Sequence, residues 1–198
     1  MSTSVAVVYH SGFGHTTRVA NAIVDGLRQV DDVDAASIVI DAEGNIPDAA
    51  WLTLGNADAI VFGSPTYMGS VSWQFKKFAD ATSKAWFTQD WKDKLFAGFT
   101  NSASMNGDKH STLHYLVTLA MQHGGTWIGT GVQASNKKSA RRDDINYLGS
   151  YAGLMAQSPS DSSADEVPRG DLETAKGFGV RIAQAARARV REDALTPA

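Results

Sequence analysis

The chain contains no cysteine in 198 residues, which excludes a disulfide framework, a thiolate metal centre and a cysteine nucleophile. Net charge is low as well, −3, with Lys and Arg scattered along the chain, so no basic stripe invites nucleic acid. The five histidines have no ligand spacing, and no metal is expected. No apolar run reaches the ~20 residues that a membrane-spanning helix needs. The opening MSTSVAVVYHSGFG has no basic n-region, and its apolar stretch is too short for a signal peptide, so a cytoplasmic protein without membrane insertion is expected. Two nucleotide signatures are missing too. GxxxxGK[ST] does not occur, and Gly12-Phe13-Gly14 is followed by His15-Thr16-Thr17 instead of the third glycine of GxGxxG.

What is present is an alternation of short apolar runs with helical patterns, the mark of a parallel sheet covered on both faces. Val5–Tyr9 is β-branched and unalternating, as a strand buried on both sides should be. Strands are expected also at Val33–Ile40, Ala59–Phe62, Leu95–Thr100 and Thr126–Ile128. Helices follow the first four: Val19, Ile23, Leu27 and Val30 share a face, then comes a weaker helix over 48–56. Phe75, Phe78, Ala79 and Thr82 mark the next, and Leu113, Leu116, Val117, Ala120 and Met121 the clearest. A last helix starts after Asp171, with Leu172, Ala175, Phe178, Ile182 and Ala186 inward. The expected architecture is α/β, a three-layer sandwich around a five-stranded parallel sheet of order 2-1-3-4-5. One domain over 1–198 is expected, with a long Gly-, Ser- and Asp-rich loop at 129–170 before the last helix.

The strongest local signal is VVYHSGFGHTTRVA (7–20). A buried strand stops, small and hydroxylic residues follow, and a helix begins at once. At the carboxyl end of a first strand the free N–H groups of that helix favour an anion. Gly12 and Gly14 allow close backbone approach, and Ser11, Thr16 and Thr17 carry hydroxyls. With no Lys or Arg in the loop, a phosphate would be held by dipoles and hydrogen bonds. An ordinary glycine-rich turn without a ligand is the competing reading.

Ser-Gly-Phe-Gly-His-Thr-Thr resembles the phosphate loop of flavodoxins and, through Gly14-His15, that of the tryptophan-repressor-binding-protein type of NAD(P)H:quinone oxidoreductases. The resemblance implies that Ser11, Phe13, Gly14, His15, Thr16 and Thr17 contact the phosphate of FMN. Phe13 stands where that family commonly has Tyr or Thr, which leaves only its backbone N–H. GSPTYMGSVS (63–72) resembles the family's isoalloxazine-binding loop, implying flavin contacts from Pro65, Thr66, Tyr67, Met68 and Gly69. The polar stretch after the fourth strand, with Thr100, Asn101, Ser102, Ala103 and Gly107, corresponds to the family's loop along the ribityl chain and the second flavin edge. His123, in MQHGG, matches a family His-Gly that faces the flavin, although a helix-capping histidine is equally open. Trp86 resembles a tryptophan that reaches an active site across a subunit boundary, against a core or surface-anchored Trp.

These likenesses imply an FMN-dependent oxidoreductase in which NADPH or NADH is the donor and a quinone-like small molecule the acceptor. No obligatory side-chain catalyst is required, because the cofactor carries the chemistry. His123 and Tyr67 would shape the substrate pocket. A homodimer or homotetramer is expected. The rivals are a flavodoxin-type electron carrier without its own NAD(P)H activity, and a regulatory or interaction protein that keeps the fold with or without flavin. Lys137, Lys138, Arg141 and Arg142 suit a nicotinamide nucleotide or a subunit contact, or are simply solvated.

Overall fold

The computed structural model of the chain describes residues 2–195. In chain order the sheet strands are β1 (Thr3–His10), β2 (Val33–Ile40), β3 (Ala59–Tyr67), β4 (Ser70–Val71), β5 (Leu95–Ser102), β6 (Thr126–Trp127) and β7 (Leu154–Gln157). The helices are α1 (His15–Leu27), α2 (Asp48–Asn56), α3 (Trp73–Ala81), α4 (Ser83–Thr88), α5 (Lys109–Gln122) and α6 (Arg169–Leu195), with a short 3-10 turn at Ala164–Glu166.

The sheet runs β2-β1-β3-β5-β6 with these neighbours parallel. That is the expected order for the five core strands. Two further strands had not been foreseen. β4 folds back antiparallel on the end of β3, and β7 pairs parallel with the second half of β5. β6 covers Leu95 and Phe96, while β7 covers Phe99 to Ser102. The edge strand is therefore split, and residues 128–153 leave the sheet between its halves. Part of the expected long loop is thus strand.

Both sheet faces are buried, as the unalternating apolar runs require. On one face Val5, Val7, Tyr9, Val61 and Phe99 pack under α1 and α6. There α1 and α6 cross at glycines. A Cβ on Gly26 would collide with the backbone of Lys176, and one on Gly179 with that of Ile23. On the other face Ala6, Val8, Ile60, Phe62 and Phe96 pack under α2, α3 and α5. Expected inward positions are buried in α1, α3 and α6, apart from Leu172, which is half-buried at the start of α6. In α5 Leu113, Leu116 and Ala120 are buried, but Val117 is half-buried and Met121 is 46% exposed at the last turn. α6 begins three residues before its expected start, at Arg169, and Asp171 lies in its first turn.

Candidate functional site

Three turns meet at the carboxyl ends of β1, β3 and β5. The first is Ser11–Gly14, between β1 and α1. Gly14 takes φ +88°, a left-handed conformation that side chains with a Cβ avoid. Ser11 Oγ sits inside the turn and accepts the N–H of Gly14 at 3.1 Å and of Thr17 at 3.2 Å. No acceptor among the described residues takes the N–H of Phe13, His15 or Thr16. This is a helix start whose donors converge on one oxygen and leave others free, the arrangement that suits a phosphate.

The second turn is the β3–β4 hairpin. Met68 (φ +48°) and Gly69 (φ +80°) both have positive φ, as a two-residue hairpin turn of the primed kind requires. Ser64 Oγ accepts the N–H of Ser72 at 2.9 Å, and Ser72 Oγ accepts that of Phe75, which caps α3 and pins the hairpin base. Tyr67 reaches back over the first turn, so that a Cβ on Gly12 would meet its hydroxyl. Burial pushes the Tyr67 phenol above its ordinary pKa. Met68 is fully exposed at the tip.

The third turn follows β5. Thr66 Oγ1 bonds Thr100 Oγ1 at 2.7 Å and Thr112 Oγ1 at 2.8 Å, a buried hydroxyl chain that joins β3, β5 and α5. Asn101 Oδ1 accepts from Ser158 Oγ, and the Ser158 N–H donates to Ser102 O. The backbone of 158–163 is drawn over α1 in this way. His15 Nε2 meets Ser162 O at 3.0 Å, which fixes the proton on Nε2, and Ser163 and Glu166 form a reciprocal cap. That cap holds the Glu166 carboxyl below its ordinary pKa through hydrogen bonds from Ser163.

Between the turns lies a cleft of about 300 Å³. Of the residues expected from the sequence, Phe13, His15, Thr16, Pro65, Thr66, Tyr67, Asn101, Ser102 and Ala103 line it. Ser11, Gly14, Thr17 and Thr100 form the bonded layer around these. Met68 and Gly69 make the hairpin tip. Gly107 (φ +56°) lies behind the wall, packed on Ser102 Oγ. Ser158, Pro159 and Ser160 complete the lining and had not been expected. Their only sequence signal is a serine run broken by Pro159. A larger hollow of about 730 Å³ lies among α2, α3 and α4. Its walls are helix sides, not strand ends, so the chemistry points to the smaller cleft.

The structure does not bring His123 to this cleft. It caps the far end of α5, 2% exposed. Its ring lies 4.6 Å from that of Trp91, and Nε2 bonds Thr82 Oγ1 at 2.9 Å. Because α5 starts at the carboxyl edge of the sheet, its 14 residues carry His123 about 21 Å away, to the opposite edge. Burial lowers the pKa of this histidine, and its Nδ1 is buried without a partner. Trp86 is 46% exposed on α4, at that same far end. Arg142 is not free for a nucleotide: it is paired with Asp171 at 2.5 Å. Among the described residues no group of His, Asp or Glu could hold a metal ion, and no helix is long and apolar enough to cross a membrane.

Known proteins resemble the chain along most of its length. The NADPH-dependent FMN reductase family matches residues 14–139. The chain is similar to Flavodoxin FldP of Pseudomonas aeruginosa, at 54% identity over 184 residues, 93% of this chain and 96% of that one. It is similar also to an NAD(P)H dehydrogenase (quinone) of Geobacter sulfurreducens, at 29% identity over 92% of this chain and 97% of the other. Among solved structures, a flavodoxin, WrbA-like protein from Agrobacterium tumefaciens superposes with a TM-score of 0.75 at 49% identity, covering 94% of this chain and 99% of that one.

Proposed function

The chain belongs to the NADPH-dependent FMN reductase family, with a flavodoxin-like fold, and on that premise we propose that it is an FMN-dependent oxidoreductase passing two electrons from NAD(P)H to a quinone-like acceptor. The observation that carries the reading is the first turn. At the start of α1 the Ser11 hydroxyl gathers the N–H groups of Gly14 and Thr17, those of Phe13, His15 and Thr16 stay without an acceptor among the described residues, and no Lys or Arg lines the cleft. A phosphate monoester fits such a donor set, with the Ser11 hydroxyl giving up its place among the N–H groups. The left-handed Gly14 and the bare Gly12 leave the room that a Cβ would fill.

FMN, once bound, supplies hydride acceptance and return, so that NAD(P)H, a proton and a quinone give NAD(P)+ and a quinol. Every other task falls to the chain. Ser11, Thr16 and Thr17 with the N–H groups of Phe13, His15 and Thr16 would hold the phosphate. Pro65 to Gly69 would flank one edge of the ring and Asn101 to Ala103 the other. Ser158 to Ser160 would close the wall against water. The exposed Phe13, Tyr67 and Met68 would offer an apolar face to an aromatic acceptor. The exposed Trp86 and Phe87 of α4 fit self-association into a homodimer or homotetramer. Only through such assembly could Trp86 of another copy approach the cleft.

A second reading, a flavodoxin-type electron carrier, is favoured by the name of the 54%-identical relative. One experiment separates the two. Purified protein is titrated with FMN by absorbance, then with NADPH under anaerobic conditions, then with a benzoquinone. Bleaching by NADPH and recovery with the quinone is the expected result. Binding without bleaching would leave the carrier, and no binding would remove both.

A further inference from the structure

Lys109, the first residue of α5, is wholly buried. Its Nζ donates to Ser102 Oγ at 2.9 Å, to Ser104 O at 2.6 Å and to Met105 O at 3.1 Å. All three acceptors are uncharged. Among the described residues no carboxylate lies at salt-bridge distance from this ammonium; Asp171, the nearest acidic group acting on it, is held by Arg142. Burying such a charge costs several kcal/mol even after relaxation, and a neutral side chain could tie the same turn together without that cost. The position is also particular. Ser102, which accepts from Nζ, is itself a wall of the cleft. The hydroxyl hydrogen of Ser102 has one long contact, 3.4 Å to Ser104 O, and is free to turn toward a ligand. A cation therefore stands one hydroxyl behind a cleft whose lining has no Lys or Arg of its own.

We propose that the charge of Lys109 acts through Ser102 on FMN in the cleft, as a positioning residue that favours the reduced cofactor over the oxidised one. This rests on the reading of the cleft as the FMN site. An added electron pair brings negative charge to the ring, and a buried cation attracts that charge more strongly than a solvated one would. The same charge favours acceptance of hydride from NAD(P)H. Lys109 is thus the feature of this chain that supports a reductase over a low-potential carrier.

The test is the midpoint potential of bound FMN in the unaltered protein, Lys109→Met and Lys109→Arg, with the affinity for oxidised FMN measured alongside by fluorescence quenching. Lys109→Met is expected to weaken reduced FMN at least about tenfold more than oxidised FMN, a fall of about 30 mV for a two-electron couple. Lys109→Arg, which keeps the charge, should retain most of the preference. If Lys109 only holds the turn, both forms weaken equally and the potential stays put, which overturns the proposal. Should Lys109→Met fail to fold, the unaltered protein decides. Burial brings the Lys109 pKa down to about 8, against Asp171, which raises it, and with Arg142, which lowers it. The gap between bound and free FMN potentials should then narrow as pH rises past that value, and a constant gap overturns the proposal. Absence of FMN binding in the unaltered protein overturns the site reading itself, an outcome distinct from binding with an unmoved potential.

Discussion

At the carboxyl ends of β1, β3 and β5 the chain places serine, threonine, glycine and a hairpin tip. At their amino ends it places Trp91, Phe96, His123 and Thr82. The first end holds most of the left-handed turns discussed above and leaves backbone donors without acceptors. The second is closed by ring packing: Trp91 lies 6.5 Å from Phe62 and 6.4 Å from Phe96, and His123 packs tilted against Trp91 at 4.6 Å and beside Phe96 at 6.5 Å. Each end also seats a lysine on carbonyl oxygens, half-buried at the aromatic end and buried at the other. Lys94 Nζ holds Gly55 O and Ala57 O at the aromatic end, and Lys109 holds the β5–α5 turn at the other. The contrast teaches that one end is made for stability and the other for a ligand, and mutations should separate the two.

The largest separation is expected from Trp91→Ala, which should destabilise the fold by about 3–5 kcal/mol through the cavity it leaves. Urea denaturation reads that loss, and FMN affinity of the folded fraction should not change. Loss of FMN binding by folded protein would join the two ends and break the comparison.

The lysines sharpen it through pH. Unfolded, Lys109 keeps its proton to its ordinary pKa of 10.5, and folded only to about 8. Between those values the unfolded chain binds more protons, so stability from this group rises with pH, by on the order of 3 kcal/mol at most. Below about pH 8 the penalty is present in full. Denaturation midpoints from pH 7 to 10.5 should lose this rise in Lys109→Met. Lys94, also lowered by burial, should contribute with the same sign from the other end.

Ser11→Asp is expected to act on the ligand end alone. Its carboxylate would take the N–H groups that now converge on the hydroxyl, keep apo stability, and repel a phosphate. FMN affinity should fall on the order of a hundredfold, about 2.7 kcal/mol, in a fluorescence titration. The smallest effect is expected from His123→Asn, about 1–2 kcal/mol for the lost bond to Thr82. Burial lowers the pKa of His123, so the unfolded chain is protonated first as pH falls below about 6.5 and stability drops. The variant should soften that acid loss and leave NAD(P)H oxidation unchanged. A selective fall in the oxidation rate would instead bring His123 to the site from another copy.

The ligand end was the more legible of the two. β1, β3 and β5 were readable because strands buried on both faces need unbroken apolar runs, and α1 because a loop of Ser, Gly and Thr stops directly against a periodic helix. Of the split edge strand, β6 was read at Thr126–Ile128 but its second half was not: the four residues of β7 are too few to show alternation, and 26 residues part them from β6. His123 was misplaced because its neighbours in sequence identify a helix end without saying which edge of the sheet that end reaches; the direction and length of α5 decide it. Lys109 carried no signal, since a lysine at a helix start reads as solvated. Its burial depends on the turn curling back from Ser102, which the left-handed Gly107 and Asp108 bring about.

The late position of α6 has a consequence for the chain as it is made. Phe178, Ile182 and Ala186 cover the face of Val5, Val7 and Val61, yet they are synthesised long after those strands. At ordinary elongation rates the interval is on the order of ten seconds. For that time half of an apolar sheet face has no cover of its own, and a nascent chain leaving the ribosome needs a chaperone or a quiet neighbourhood until its last helix arrives.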